Sequence, residues 1–294
     1  MLYTIQNEFL TALVDDQGGE LHSVKFGSTE LLWQGDPKWW TGHAPILFPV
    51  IGTLRNASYL HNGKQYVLKQ NHGFARRSKF SLVNHSDEQV TFSLCDNEET
   101  RAVYPFEFEL LVTYKLSNSS LYTDLVVTNK SDENMYFSIG GHPAFNCPLL
   151  HEENFEDYEL VFNENETIGT HIVTEEGFVL DEMVPIFNDS NRISLGHELF
   201  QKYQTLVFSN LKSTEVSIKS RKTGAGVTMD FTGFPYFGVW QPPGAPFVCL
   251  EPWQGIEDSP NSSENLCNKK GIIRLGSKSE YQCGFTITPL SIPL

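Results

Sequence analysis

The chain has 294 residues, 40% of them hydrophobic and 19% charged, a balance that fits a globular protein rather than a disordered one. Its net charge of −15 argues against nucleic-acid and membrane partners, because both need a basic stripe and no Lys/Arg run supplies one. Five cysteines, none in a C-x-x-C pair, argue against a disulfide scaffold or a zinc knuckle.

Met1–Glu8 shows neither the basic nor the apolar part of a secretion signal. No stretch approaches the roughly 18 apolar residues of a membrane span. The expected location is the cytoplasm, where the Asn-x-Ser/Thr sequences carry no glycosylation meaning.

In chain order, Thr41–Arg55 comes first as a segment rich in Gly, Pro and aromatics. A turn follows at His61-Asn-Gly-Lys64, then a second unusual segment, Asn71–Arg77. Alternating strands are expected at Glu109–Leu116 and Ser120–Asn129. In the latter, Leu121, Leu125 and Val127 share one face and Tyr122, Asp124 and Val126 the other. Turns at Ser117–Ser120 and Asn129–Asp132 bound them. A strand at Met135–Ile139 leads into Gly140–Asn146. Further strands are expected at Tyr158–Phe162, Thr205–Phe208, Glu215–Lys219, Gly226–Phe231, Tyr236–Trp240 and Ala245–Leu250, the last ended by Pro252. Gly196–Tyr203 and Ser262–Lys269 are the only candidate helices. Short strands with turn chemistry between them, no linker and no fixed repeat predict one domain over 1–294. The expected fold is all-β, a large antiparallel β-sandwich.

Three segments break the alternation while carrying His or Glu, which marks them as candidate site loops. In Asn71-His-Gly-Phe-Ala-Arg-Arg77, Gly73 lets backbone approach the His72 ring. The plain alternative is a buried structural His beside an exposed basic turn. In Ile139-Gly-Gly-His-Pro-Ala-Phe-Asn146, Pro143 keeps His142 out of the helical region and fixes its bend. In Cys249-Leu-Glu-Pro-Trp-Gln-Gly255, Glu251 ends an apolar run beside Trp253. Partial burial there would raise the carboxyl toward neutrality, where a general base works best. A structural Glu paired with a nearby arginine is the alternative. No H-E-x-x-H, G-x-S-x-G or G-x-G-x-x-G pattern points to a metal, a serine hydrolase or a nucleotide. A Cys147–His142 nucleophilic pair is the only thiol option.

Taken together, Asn71-His-Gly-Phe-Ala-Arg76, Gly140-Gly-His-Pro-Ala-Phe-Asn146 and Leu250-Glu-Pro-Trp253 resemble the aldose 1-epimerase (galactose mutarotase-like) family, and in particular its LacX-type branch. The resemblance runs from Gly18-Gly-Glu-Leu-His22 to Pro289. It implies a β-sandwich with the site on a concave sheet and interconversion of sugar anomers. It also implies Glu251 as general base, His142 as general acid and His72 as a second sugar-binding histidine. Arg55, Arg76, Asn146, Gln204 and Trp253 are the candidate substrate contacts. Related chains often have Gly-Arg-Leu where this one has Gly52-Thr-Leu-Arg55, and an acidic residue near Gln204; both differences bear on which sugar is taken. Arg76 and Arg77 raise the option of a sugar phosphate. No cofactor and no metal are expected. The expected partner is a small aldose or aldose phosphate, handled by a monomer or homodimer. The rival readings are a non-catalytic sugar sensor on the same fold and a polysaccharide lyase or hydrolase, for which Trp33, Trp39, Trp40 and Trp240 would have to form a cleft.

Overall fold

The computed structural model describes residues 1–292. Its largest sheet has nine strands, in the spatial order Ser190–Ser194, Tyr158–Glu166, Glu215–Ser220, Gly226–Asp230, Glu280–Leu290, Ser120–Asn129, Phe108–Ser117, Gln89–Cys95 and Ser81–His85. The alternation in the sequence sets its two faces. Phe108, Leu110, Val112, Tyr114 and Leu116 are buried, as are Leu121, Leu125 and Val127 on the neighbouring strand. Leu110 lies opposite Val127 and Val112 opposite Leu125, so one face of each strand goes to the core.

A second sheet packs over that face. Its order is Thr205–Ser209, Tyr236–Trp240, Phe247–Gln254, Ile139–Gly141 and Ile46–Leu47, with Ala144–Asn146 also pairing to Phe247–Gln254. The layers meet in a dense aromatic and aliphatic core. Phe48 of the second layer contacts Phe108 of the first at 5.1 Å between ring centres. Phe237 meets Phe231 at 4.3 Å. The arrangement is the antiparallel sandwich that the sequence predicts. A four-stranded antiparallel sheet, Leu2–Gln6, Leu10–Asp15, Glu20–Phe26 and Thr29–Glu30, completes the chain's N-terminal part.

Three expectations change. Met135–Ile139 is not one strand: Met135–Phe137 pairs with Ile273–Leu275, and Ile139–Gly141 belongs to the second sheet. Ser262–Lys269 is not a helix. Only the 3-10 turn Leu266–Asn268 forms, because the Ser262 hydroxyl accepts the Ser259 N–H at 2.8 Å and holds the backbone in a turn. Gly196–Tyr203 does yield a helix, His197–Tyr203. Finally, Pro252 does not end its strand. Phe247–Gln254 runs through it, with Phe237 paired to Pro252 on one side. The Leu250 N–H on the opposite side donates to Pro143 at 3.1 Å. The Pro252 nitrogen faces that same side two residues on, in the gap between Ala144–Asn146 and Ile139–Gly141, where no ladder bond is required. That gap contains His142. No helix among the described residues is long and apolar enough to cross a membrane.

Candidate active site

Phe247–Gln254 is buried along seven of its eight residues, as a strand covered on both faces must be. One face meets the core; the other forms the floor of a hollow of about 320 Å³ lined by Glu251, His142, His72, Arg76, Trp40, Trp240 and Trp253 among others. That volume lies at the small end of ligand sites and suits one monosaccharide.

Each catalytic candidate is placed by a local backbone device. Glu251 sits opposite Gly238 on the neighbouring strand. A Cβ on Gly238 would fall 2.6 Å from the Trp253 ring, so glycine is needed to seat that indole beside Glu251. His142 follows a glycine pair that has no room for side chains: a Cβ on Gly140 would lie 2.5 Å from the Pro252 carbonyl oxygen, and one on Gly141 2.6 Å from the Phe285 ring. The His142 ring stacks on Trp40 at 5.0 Å and meets the edge of Trp240 at 5.6 Å. His72 has a left-handed backbone, φ 61°, and so does Gly73, φ 73°. A Cβ on Gly73 would sit 2.2 Å from the Phe48 carbonyl oxygen. Gly52 grips His72 twice: its carbonyl accepts the His72 N–H at 2.9 Å, and its own N–H donates to His72 Nδ1 at 3.0 Å. The proton of a neutral His72 must then be on Nε2, leaving that N–H as a donor.

The three groups converge. His142 Nε2 lies 3.2 Å from a Glu251 carboxylate oxygen. The His72 and His142 rings are 5.5 Å apart at nearly a right angle. Burial, then Glu257, pushes Glu251 well above its ordinary range, with Arg76 partly opposing. Burial, then His72 and Arg76, pushes His142 well below its own. His72 is lowered to about 3 by burial and by Arg76, so it is a neutral donor at any working pH. Among the described residues, buried His142 Nδ1 has no hydrogen-bond partner. Nothing on the far side of that ring therefore fixes its tautomer, and Nε2 can give a proton to Glu251 or take one from it. The closest approach to a metal set is here too: His142, Cys249 and Glu251 offer donor atoms within 4.8 Å of one another. Such a trio suits a borderline-soft divalent ion, but the adjacent Arg76 guanidinium opposes a cation. Burial also holds the Cys249 thiol well above its ordinary range.

The remaining sequence candidates divide. Arg76, Gln204 and Trp253 line the hollow. Arg76 sits half-buried in the turn Ala75–Arg77, its pKa lowered chiefly by burial, with Glu20 as the main opposing charge. Gln204 reaches the hollow as the left-handed cap, φ 58°, of His197–Tyr203. Arg55 and Asn146 do not line it. The Arg55 guanidinium bonds Glu264 at 3.2 Å, outside the hollow. The Asn146 amide is used on the Glu30 and Leu32 carbonyls, at 3.0 and 2.9 Å, tying its strand to the N-terminal sheet. Arg77 is exposed and also lies off the hollow. Sequence reasoning missed Glu257, Thr205, Val173 and Gly177 as lining residues, and placed Asn71 in a site segment without giving it a contact. Glu257 lies two residues beyond Cys249–Gly255, and no spacing distinguishes it from Asp258.

The comparisons with known proteins agree over almost the whole chain. The aldose 1-epimerase family model matches residues 1–267. The chain belongs to the aldose 1-epimerase family. Among its family relatives, Protein LacX (chromosomal) of Lactococcus lactis subsp. lactis is 36% identical over 99% of this chain and all of that protein. A solved galactose mutarotase related enzyme from Lactobacillus acidophilus superposes with a TM-score of 0.93 at 39% identity, covering 98% of this chain and 97% of that one. A galactose mutarotase-like protein from Lactobacillus casei gives 0.90 at 30% identity, over 98% of this chain and all of that one. The family's fold is also seen in a galactose 1-epimerase of Lactobacillus acidophilus, with a TM-score of 0.71 at 15% identity over 97% of this chain and 92% of that one.

Proposed function

We propose that the protein is a mutarotase acting on a free, neutral hexose, with Glu251 as base, His142 as acid and His72 as a fixed hydrogen-bond donor. The observation that carries this is the 3.2 Å contact between Glu251 and His142 Nε2 inside an aromatic-walled hollow.

Opening a cyclic hemiacetal requires a proton to leave the anomeric hydroxyl and a proton to reach the ring oxygen. Burial disfavours any net charge on the Glu251–His142 pair, so the pair is held with one proton to share. In one arrangement Glu251 is a carboxylate and His142 an imidazolium; in the other both are neutral. The first arrangement takes the anomeric proton and delivers one to the ring oxygen, which leaves the second. Rotation about the C1–C2 bond and reclosure run the transfers in reverse and restore the first. Made together, the two transfers leave the pair's net charge at zero before and after, so ring opening buries no new net charge. A matched base and acid each contribute roughly 10²–10⁴-fold. His72 Nε2–H is available to the ring oxygen or an adjacent hydroxyl, and Trp40, Trp240 and Trp253 supply flat apolar walls for the sugar's C–H faces.

A neutral sugar is favoured over a phosphate. Two carboxyl groups, Glu251 and Glu257, share the hollow with the single guanidinium of Arg76, and Arg77 does not join it. A non-catalytic sensor would need hydroxyl-bonding groups but no proton-sharing pair. The test is the optical rotation of freshly dissolved α-glucose or α-galactose. The protein should shorten the approach to equilibrium, and E251Q should return it to the spontaneous rate while keeping the wild-type fold. Sugar binding without acceleration would instead support the sensor. Glucose 6-phosphate should be turned over more slowly than glucose; the reverse order would overturn the neutral-substrate assignment.

A further inference from the structure

We infer that Glu257 contacts the substrate directly, as a carboxylate that accepts hydrogen bonds from sugar hydroxyls and so helps decide which hexose fits. This rests on the mutarotase reading and adds a residue to it.

Glu257 lines the same hollow as Glu251, His142, His72 and Arg76. Space is reserved for it. A Cβ on Gly52, whose φ is +65°, would fall 1.8 Å from Glu257 Cγ. Gly52 is the same residue that donates to His72 Nδ1, so one glycine sets both the packing of Glu257 and the orientation of the histidine. The loop is also anchored on the next residue. Asp258 pairs with Lys269 at 2.5 Å, both side chains almost wholly buried. The Asp258 carboxylate takes the Arg55 N–H at 2.8 Å, and its carbonyl takes the Val179 N–H at 2.9 Å. These bonds leave Glu257 turned toward the hollow by a rigid neighbour.

What sets Glu257 apart is that it has no protein partner. Several other half-buried or buried carboxylates here are each bonded twice. Glu20 accepts the N–H groups of His43 and Ala44, Glu30 those of Val24 and Leu32, and Glu166 both the N–H and the hydroxyl of Ser213. Among the described residues Glu257 forms no hydrogen bond and no ion pair. The cation nearest in effect, Lys269, is already committed to Asp258. A carboxylate partly withdrawn from bulk water and without protein partners is open to hydroxyl donors that enter the hollow. Its two oxygens can accept from two neighbouring hydroxyls at once, a match for the vicinal hydroxyls of a pyranose. The charged groups around it are Glu251 and Arg76 in the hollow, Asp258 and Lys269 behind the loop, and Asp181 with Lys270 across an adjoining cavity.

The experiment compares wild type, E257Q and E251Q for mutarotation of glucose, galactose and their monodeoxy derivatives, across pH. E257Q should lower kcat/KM about tenfold, mostly through KM. A deoxy sugar that lacks a contacted hydroxyl, already weak on the wild type, should lose less on E257Q than its parent sugar, because part of the lost contact is the same. The wild-type KM should rise as pH falls below about 7, the value to which burial raises Glu257, and this limb should be missing in E257Q. An unchanged KM for every sugar, or an equal loss for all deoxy sugars, overturns the inference while leaving the mutarotase reading intact. Should wild type fail to accelerate mutarotation, that reading falls separately. The same sugars are then compared by their thermal stabilisation of wild type and E257Q: a lost shift upholds the Glu257 contact, and a retained shift overturns it.

Discussion

Replacing Glu257 by Gln should make the protein more stable above pH 7 and leave its stability unchanged near pH 4. Burial raises this carboxyl from 4.5 to about 7, with Lys269 opposing. The unfolded chain ionises it near the ordinary value, whereas the folded chain holds the proton about 2.5 pH units longer. A folded pKa above the unfolded one contributes stability that is complete below the unfolded value and lost as pH rises through the folded value. The window is therefore roughly pH 4.5 to 7, and above it the folded state carries the whole penalty. At about 1.36 kcal/mol per tenfold change, the full shift is worth ~3 kcal/mol. Solvent entering the hollow screens part of it, which leaves ~1–2 kcal/mol. Gln keeps the shape and removes the charge. For a chain of this length each kcal/mol moves Tm by roughly 1–2 °C, so E257Q should melt about 1–4 °C higher at pH 8 and level with wild type at pH 4. Thermal denaturation of both proteins across that range measures the gap. A gap that does not depend on pH, or a Tm lowered at pH 8, would refute the claim that this carboxyl is held out of water.

Three further outcomes are expected. The kcat/KM of wild type should fall on both sides of an optimum, on the acid side as the Glu251–His142 pair gains a second proton and on the alkaline side as it loses its only one; a flat profile measured by polarimetry would exclude a shared proton. G73A should lose at least ~2 kcal/mol in chemical denaturation, because its Cβ would meet the Phe48 carbonyl oxygen at 2.2 Å on a left-handed backbone, and sugar affinity should fall with it as His72 shifts. K269M leaves Asp258 buried without its cation and should cost about 3–5 kcal/mol; adding D258N should recover most of that, as seen in the paired denaturation midpoints.

Much of the fold was legible because one face of each long strand is buried. Alternation alone located Ser120–Asn129 and Glu109–Leu116, the second one residue short at each end, and both carry that pattern in the structure. Strands covered on both faces lose the signal. Phe247–Gln254 reads as an apolar run, and Pro252 within it suggested a break that the gap beside Pro143 makes unnecessary. The short N-terminal strands left no period clear enough to assign.

The sequence by itself determined the kinds of group available: a carboxylate and two imidazoles, each set in a segment of glycine and proline that no ordinary strand would contain. Their chemistry, and the family they mark, follow from residue type and order along the chain. Only the tertiary structure decided their company. Glu251 and His142 are more than a hundred residues apart and lie 3.2 Å from each other because separate segments bring them to one sheet. Arg55 and Asn146 were equally good candidates by type, yet Glu264 and the carbonyls of Glu30 and Leu32 claim them. Glu257 carries no motif and still lines the hollow, because Gly52 leaves it room and Asp258 fixes the loop. A side chain's role depends on which partners reach it first, and those partners come from distant parts of the chain.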